Sequence, residues 1–122
     1  MYRIKVIRTF AAAHHLRNYN GKCENTHGHN YRVEVEVEAD RLDGAGLAVD
    51  FGVVKARLDE VLDYLDHCDL NALPEFTERN PSAENIARVV YEKLKGAFSG
   101  EGTRLAAVSV WESDTSCATY TP

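Results

Sequence analysis

The sequence predicts an α+β protein: a four-stranded antiparallel sheet carrying two helices on one face, in the order strand, strand, helix, helix, strand, strand. Three observations point to this. Apolar and polar residues alternate near both ends of the chain, two central segments switch to helical spacing, and polar or Gly-rich connections separate them.

The first strand spans Tyr2 to His14, where the even positions Tyr2, Ile4, Val6, Phe10 and Ala12 are apolar and Arg8 is the exception. From Tyr31 to Ala39 the alternation is cleaner. Tyr31, Val33, Val35, Val37 and Ala39 share one face, and Arg32, Glu34, Glu36 and Glu38 share the other. One buried face and one wet face suit an antiparallel sheet. Asp43 to Gly46 reads as a loop. Asp50 then caps a helix whose stripe is Val54, Leu58, Val61, Leu62 and Leu65. Pro81 and Ser82 signal a second helix, with Glu84 favourable in its first turn. Its stripe is Ile86, Val89, Val90 and Leu94, continuing to Phe98, and Gly100 and Gly102 break it. Two final strands are expected near Leu105 to Glu112 and Cys117 to Thr121.

A chain of 122 residues supports one compact domain, assigned to residues 1–122, with a genuine hydrophobic core. Its apolar fraction of 44% and charged fraction of 27% are ordinary for a globular protein. The formal charge of −5 argues against a general nucleic-acid partner, while a few local cations would still accommodate a phosphorylated substrate. No stretch approaches the roughly 20 apolar residues that span a bilayer, so no membrane role is expected. Met1 to Arg8 lacks the continuous apolar core of a signal peptide, and a cytoplasmic location is the expectation. Cys23, Cys68 and Cys117 are odd in number and form no CxxC pair, which argues against a disulfide framework.

Three of the histidines are placed for joint use. His27 and His29 flank Gly28, and in an extended chain residues two apart share a face roughly 6.6 Å apart. Two imidazoles close that gap around one ion, with metal–nitrogen bonds of about 2.0–2.1 Å. Their odd numbering matches the apolar face that begins at Tyr31. His14 has the parity of Phe10 and Ala12, so pairing the first two strands brings it beside the other two. Three neutral nitrogen ligands with a fourth position open is the catalytic zinc pattern. The competing reading is a loop whose histidines satisfy backbone groups. His15 lies on the opposite strand face and is expected at the surface.

Other residues acquire meaning around such an ion. Cys23 lies four residues before His27, where a cation would favour its thiolate as a base or nucleophile; an inert loop thiol is the alternative. Asp66 next to His67 can act as a proton relay or end a helix as a solvated pair. Glu112 has the parity of Val108 and Val110, so a carboxylate occupies a position expected to be apolar. It calls for a partner with paired donors, such as an amidine-like substrate edge, unless it ends the strand in water.

Taken together, these motifs resemble the 6-pyruvoyl-tetrahydropterin synthase and 6-carboxy-tetrahydropterin synthase family nearly end to end. Phe10-Ala11-Ala12-Ala13-His14 resembles its F-x-A-A-H opening, and Cys23 to His29 matches C-x-x-x-H-G-H. Asp50-Phe51-Gly52 with Lys55 resembles its first helix start, and Leu65-Asp66-His67 with Leu70-Asn71 resembles L-D-H-x-x-L-N. Asn80 to Asn85 matches the start of the second helix, and Glu112 falls at the late-strand glutamate. The resemblance implies a tunnelling fold, in which trimers join sheets into a β-barrel and stack as a homohexamer. It implies Zn2+ on His14, His27 and His29, a proton-abstracting thiolate at Cys23, and a relay of Asp66 with His67 from the same or a neighbouring subunit. Glu112 would grip the pterin ring of a 7,8-dihydroneopterin triphosphate substrate.

The family divides by product. The short chain with Cys23 looks most like the bacterial lyase that forms 6-carboxy-5,6,7,8-tetrahydropterin for queuosine biosynthesis, releasing acetaldehyde and triphosphate. The alternatives are 6-pyruvoyl-tetrahydropterin and the folate precursor 6-hydroxymethyl-7,8-dihydropterin. The branch making the latter has Glu near the Cys position, so Cys23-Glu24 resembles dual-function members and makes Glu24 a catalytic candidate. Outside enzymes, the competitor is a zinc-stabilised interaction module, which a permanently bound Cys23 would favour.

Overall fold

In the computed structural model, which describes residues 1–122, the strands are β1 (Tyr2–His14), β2 (His27–Ala39), β3 (Thr103–Ser113) and β4 (Ser116–Tyr120). The helices α1 (Phe51–Leu65) and α2 (Ala83–Leu94) lie between β2 and β3 in the chain. One antiparallel sheet has the order β1-β2-β3-β4, so each strand pairs with its neighbour among the strands of the sequence. The second strand extends back to His27, four residues before the clean alternation begins, and the last two strands differ from expectation only at their ends.

Both helices pack on the face built by Val6, Phe10, Tyr31, Val33, Val35, Val37, Val108 and Val110, and one continuous core results. From α1 it takes Val54, Leu58, Leu62 and Leu65, with Val61 partly buried at the margin. From α2 it takes Ile86, Ala87, Val90, Tyr91 and Leu94, and Phe98 follows in a short 3-10 turn. The caps act as the residue types require: the Asp50 side chain accepts from the Gly52 N–H, and Ser82 accepts from the Asn85 N–H. No helix is long and apolar enough to cross a membrane.

Two irregularities in β3 matter. Against β2, Glu36 pairs with Ala107 and Val37 with Leu105, so Ala106 is an extra residue; Leu105 and Val108 can then both be buried. Against β4, Trp111 pairs with Cys117 and Ser113 with Ser116, which leaves Glu112 as the extra residue of a second bulge. Bulges bend the strand and re-aim side chains, and they recur beside functional sites. On the wet face of β2, Glu34, Glu36 and Glu38 meet Lys5 and Arg3 across the strand pair. Glu38 is buried between Arg3 and Arg104, which hold its carboxyl below the usual range, Arg3 foremost through its hydrogen bond.

Candidate metal centre

The β1–β2 register places His14 directly opposite His27, and Ala12 opposite His29. Facing residues of an antiparallel pair share one side of the sheet, so all three rings project toward the helices. Glu112 comes from β3, on the far side of β2. One ligand atom from each of His14, His27, His29 and Glu112 falls within a cluster no wider than 4.8 Å. His14 is 1% exposed, and its Nε2 lies 3.0 Å from His27 Nε2 and 3.1 Å from Glu112 Oε1.

The proton positions follow from the partners. His14 Nδ1 lies 2.7 Å from the Pro81 carbonyl oxygen, and His27 Nδ1 lies 2.6 Å from that of Asn25. A carbonyl only accepts, so both Nδ1 atoms carry the proton and donate. In the neutral rings the Nε2 lone pairs then face each other. His29 Nε2 is buried without a hydrogen-bond partner, for its 3.2 Å approach to Glu112 Oε1 lacks hydrogen-bond geometry. Burial foremost, with His14 and His27 adding to it, lowers the His29 pKa against the opposing pull of Glu112, so the neutral ring is favoured.

Two Nε2 lone pairs, from His14 and His27, thus converge with the His29 Nε2 and the Glu112 carboxylate. A divalent cation satisfies such a set. Ligands on one tetrahedral zinc stand roughly 3.3 Å apart for bonds of about 2.0–2.1 Å, close to the 3.0 Å between the paired Nε2 atoms. The Nδ1–carbonyl bonds are the outer contacts that orient a metal-binding histidine. Nitrogen and oxygen donors without sulfur suit Zn2+.

Two cavities flank the cluster. One of about 520 Å³ is lined by residues 11–13, 28–30 and 67–69 and includes His29 and His67. The other, about 260 Å³, lies between the start of α2 and the β3–β4 turn, lined by Ala83, Glu84, Glu112, Ser116, Cys117 and Ala118. Glu84, which the sequence marks as a favourable first-turn residue within the Asn80–Asn85 motif, therefore shares a cavity with Glu112. No local pattern would reveal that, because the two residues lie on separate elements, α2 and β3, that meet only in the folded chain.

Asp66 and His67 pair after all. Adjacent residues within a helix face apart, but α1 ends at Leu65 and His67 adopts a φ of 55°. That left-handed turn brings His67 Nδ1 to 2.7 Å from Asp66 Oδ2. It also lets the segment lie along the outer edge of β1: His67 N–H donates to the Ala11 carbonyl, and Ala11 N–H donates to Asp66 Oδ1. The Ala11 N–H foremost, then His67, holds the Asp66 carboxyl below the ordinary aspartate range. The His67 side chain is 82% exposed, leaving its Nε2 accessible.

Cys23 and Glu24 sit in a short 3-10 turn, Lys22–Glu24. The half-buried Cys23 sulfur is outside the cluster of ligand atoms and does not line the cavity beside His29. Exposed Glu24 accepts from the Tyr19 N–H at 2.9 Å, closing its loop. All three cysteines are free thiols. The surface expectation for His15 is corrected: it is half-buried, its Nε2 lies 3.3 Å from Asn71 Nδ2, and its Nδ1 is buried without a partner. The chain past His14 packs against residues 69–71, which strand parity does not anticipate.

A family model described as 6-pyruvoyl tetrahydropterin synthase matches residues 3–122. The chain is 38% identical over 117 residues to a 6-carboxy-5,6,7,8-tetrahydropterin synthase from Synechocystis, covering 92% of this chain and 87% of the relative. It is 34% identical over 110 residues to a dihydroneopterin monophosphate aldolase from Pyrococcus furiosus, covering 90% and 89%. The structure of Caenorhabditis elegans 6-pyruvoyl tetrahydropterin synthase superposes with a TM-score of 0.87 at 29% identity, covering 99% of this chain and 95% of that one.

Proposed function

The chain belongs to the 6-pyruvoyl tetrahydropterin synthase family, and from that premise we propose that it is a zinc-dependent lyase converting 7,8-dihydroneopterin triphosphate to 6-carboxy-5,6,7,8-tetrahydropterin. One water is taken up, acetaldehyde and triphosphate leave, and the product serves queuosine biosynthesis. The fold is the tunnelling fold, and the enzyme is of the tetrahydropterin synthase kind. The observation that carries the reading is the convergence of the His14, His27 and His29 ring nitrogens between two cavities.

His14, His27 and His29 hold the ion, which when bound supplies Lewis-acid polarisation of the substrate side-chain hydroxyls. Glu112 orients the substrate through the paired N–H donors of the pterin, the match a carboxylate makes with a guanidine-like edge. Asp66 fixes the proton on His67 Nδ1, leaving Nε2 to accept and return a proton at the cavity shared with His29. Cys23 is assigned proton abstraction on its place in the C-x-x-x-H-G-H motif. Its turn is tied to the chain past His14 by the Leu16 N–H, which donates to the Cys23 carbonyl at 2.7 Å. A thiol outside the ligand cluster supports this reading over a zinc-stabilised interaction module.

The similarity to an aldolase favours a second reading, with 6-hydroxymethyl-7,8-dihydropterin as an additional product and Glu24 as its acid or base. Mass spectrometry of products after supplying dihydroneopterin triphosphate to zinc-loaded protein separates the two. The 6-carboxy product is expected, and Cys23→Ala should abolish it. A hydroxymethyl product selectively lost in Glu24→Ala would establish the second reading. No turnover at all would defeat the enzyme assignment.

A further inference from the structure

We propose that two asparagine side chains, Asn71 and Asn80, are positioning residues that set the metal-binding geometry of His14 without touching the metal. The inference rests on the metal reading above. β1 ends at His14, and the backbone groups of His15 and Arg17 have no strand partner. Side-chain amides replace it. Asn71 Oδ1 accepts from the His15 N–H at 2.9 Å, and Asn71 Nδ2 donates to the His15 carbonyl at 3.0 Å. Asn80 does the same at Arg17, with both bonds at 2.9 Å. A carboxamide presents one acceptor and one donor side by side, as a peptide group does, so each completes the two-bond pattern of an antiparallel pair.

Asn80 grips both ends of the contact that orients His14. Its side chain holds the chain at Arg17, three residues beyond the end of β1, and its backbone leads directly into Pro81, whose carbonyl accepts the His14 Nδ1–H. Asn85 Nδ2 fixes the Asn80 carbonyl at 2.8 Å, and the Arg17 Nε returns to Asn80 Oδ1 at 3.2 Å. Release of Asn80 lets the Pro81 carbonyl and His14 move independently. The ring orientation that aims Nε2 at His27 is then no longer imposed.

The test is zinc affinity, read by competition with a chromophoric chelator at a temperature where circular dichroism shows each variant folded. Losing the direct outer partner of a metal-binding histidine weakens metal binding by about 10–100-fold. Asn80→Ala keeps the Pro81 carbonyl but frees it to move, so its loss should lie at the lower end, about 10-fold, with Asn71→Ala weakened less. The absorption bands of the Co2+-substituted protein should shift in Asn80→Ala. Asp50→Ala removes a helix cap elsewhere and controls for lost stability; its affinity should equal wild type. If Asn80→Ala does not fold, Asn80→Asp, which keeps an acceptor for the Arg17 N–H, is judged by the same criterion. Folded Asn80 variants binding within about twofold of wild type, with an unchanged Co2+ spectrum, overturn the proposal. A wild-type protein that takes up no zinc overturns the metal reading and this inference with it.

Discussion

At the residue scale, the site is defined by where protons sit. Carbonyl acceptors on Nδ1 of His14 and His27 leave lone pairs on Nε2 that repel one another until a cation lies between them. Replacing His14 with Ala should abolish stoichiometric zinc binding, measured by metal analysis after dialysis; full retention would remove His14 from the set. Asp66 makes a separate prediction. Its folded pKa is depressed by the Ala11 N–H and then by His67. Such a group adds stability above the unfolded aspartate pKa of about 3.9 and loses it as pH falls through the lower folded value. Thermal melts of metal-free wild type and Asp66→Ala should therefore differ by a constant amount from neutral pH to about pH 5 and converge below about pH 4. A gap undiminished at low pH would show that packing, not the carboxylate charge, makes the difference. Strand parity makes the convergence of the histidines legible, because side-chain direction alternates with period two. It cannot reach the Asp66–His67 pair, which needs a left-handed residue, or the role of Asn71 and Asn80, whose partners lie more than 50 residues away.

At the element scale, periodicity specifies most of the structure. The α1 stripe read from the sequence is the buried one except for Val61 at its margin, and Asp50 caps where its type requires. Leu58 is fully buried whereas Phe51 at the start of the same helix is 55% exposed. Leu58→Ala should cost about 2–5 kcal/mol in urea denaturation, and Phe51→Ala no more than about 0.5 kcal/mol. Comparable losses would mean that α1 is rotated from the orientation described. The bulges in β3 are not legible, since an extra residue in one strand shows only against its partner. Glu112, the extra residue of the second bulge, belongs both to the histidine cluster and to the lining of the cavity beside α2.

At the scale of the whole molecule, the sheet keeps two outer strands. Residues 66–69 cover the His14 end of β1 through bonds to Ala11 and Ala13, while β4 pairs only with β3. Unpaired strand edges are templates for pairing with another chain. The homohexamer with a closed barrel remains a proposal that would use them, and it predicts sedimentation at six times the 13.6 kDa chain mass. A monomer would contradict it. The central claim concerns the ion itself: three imidazoles hold zinc, and Cys23 stays off it. X-ray absorption of the zinc-loaded protein tests this most directly. The account predicts a first shell of nitrogen and oxygen at about 2.0–2.1 Å, with imidazole scattering from three rings. A zinc–sulfur distance at about 2.3 Å would place Cys23 on the metal and contradict it.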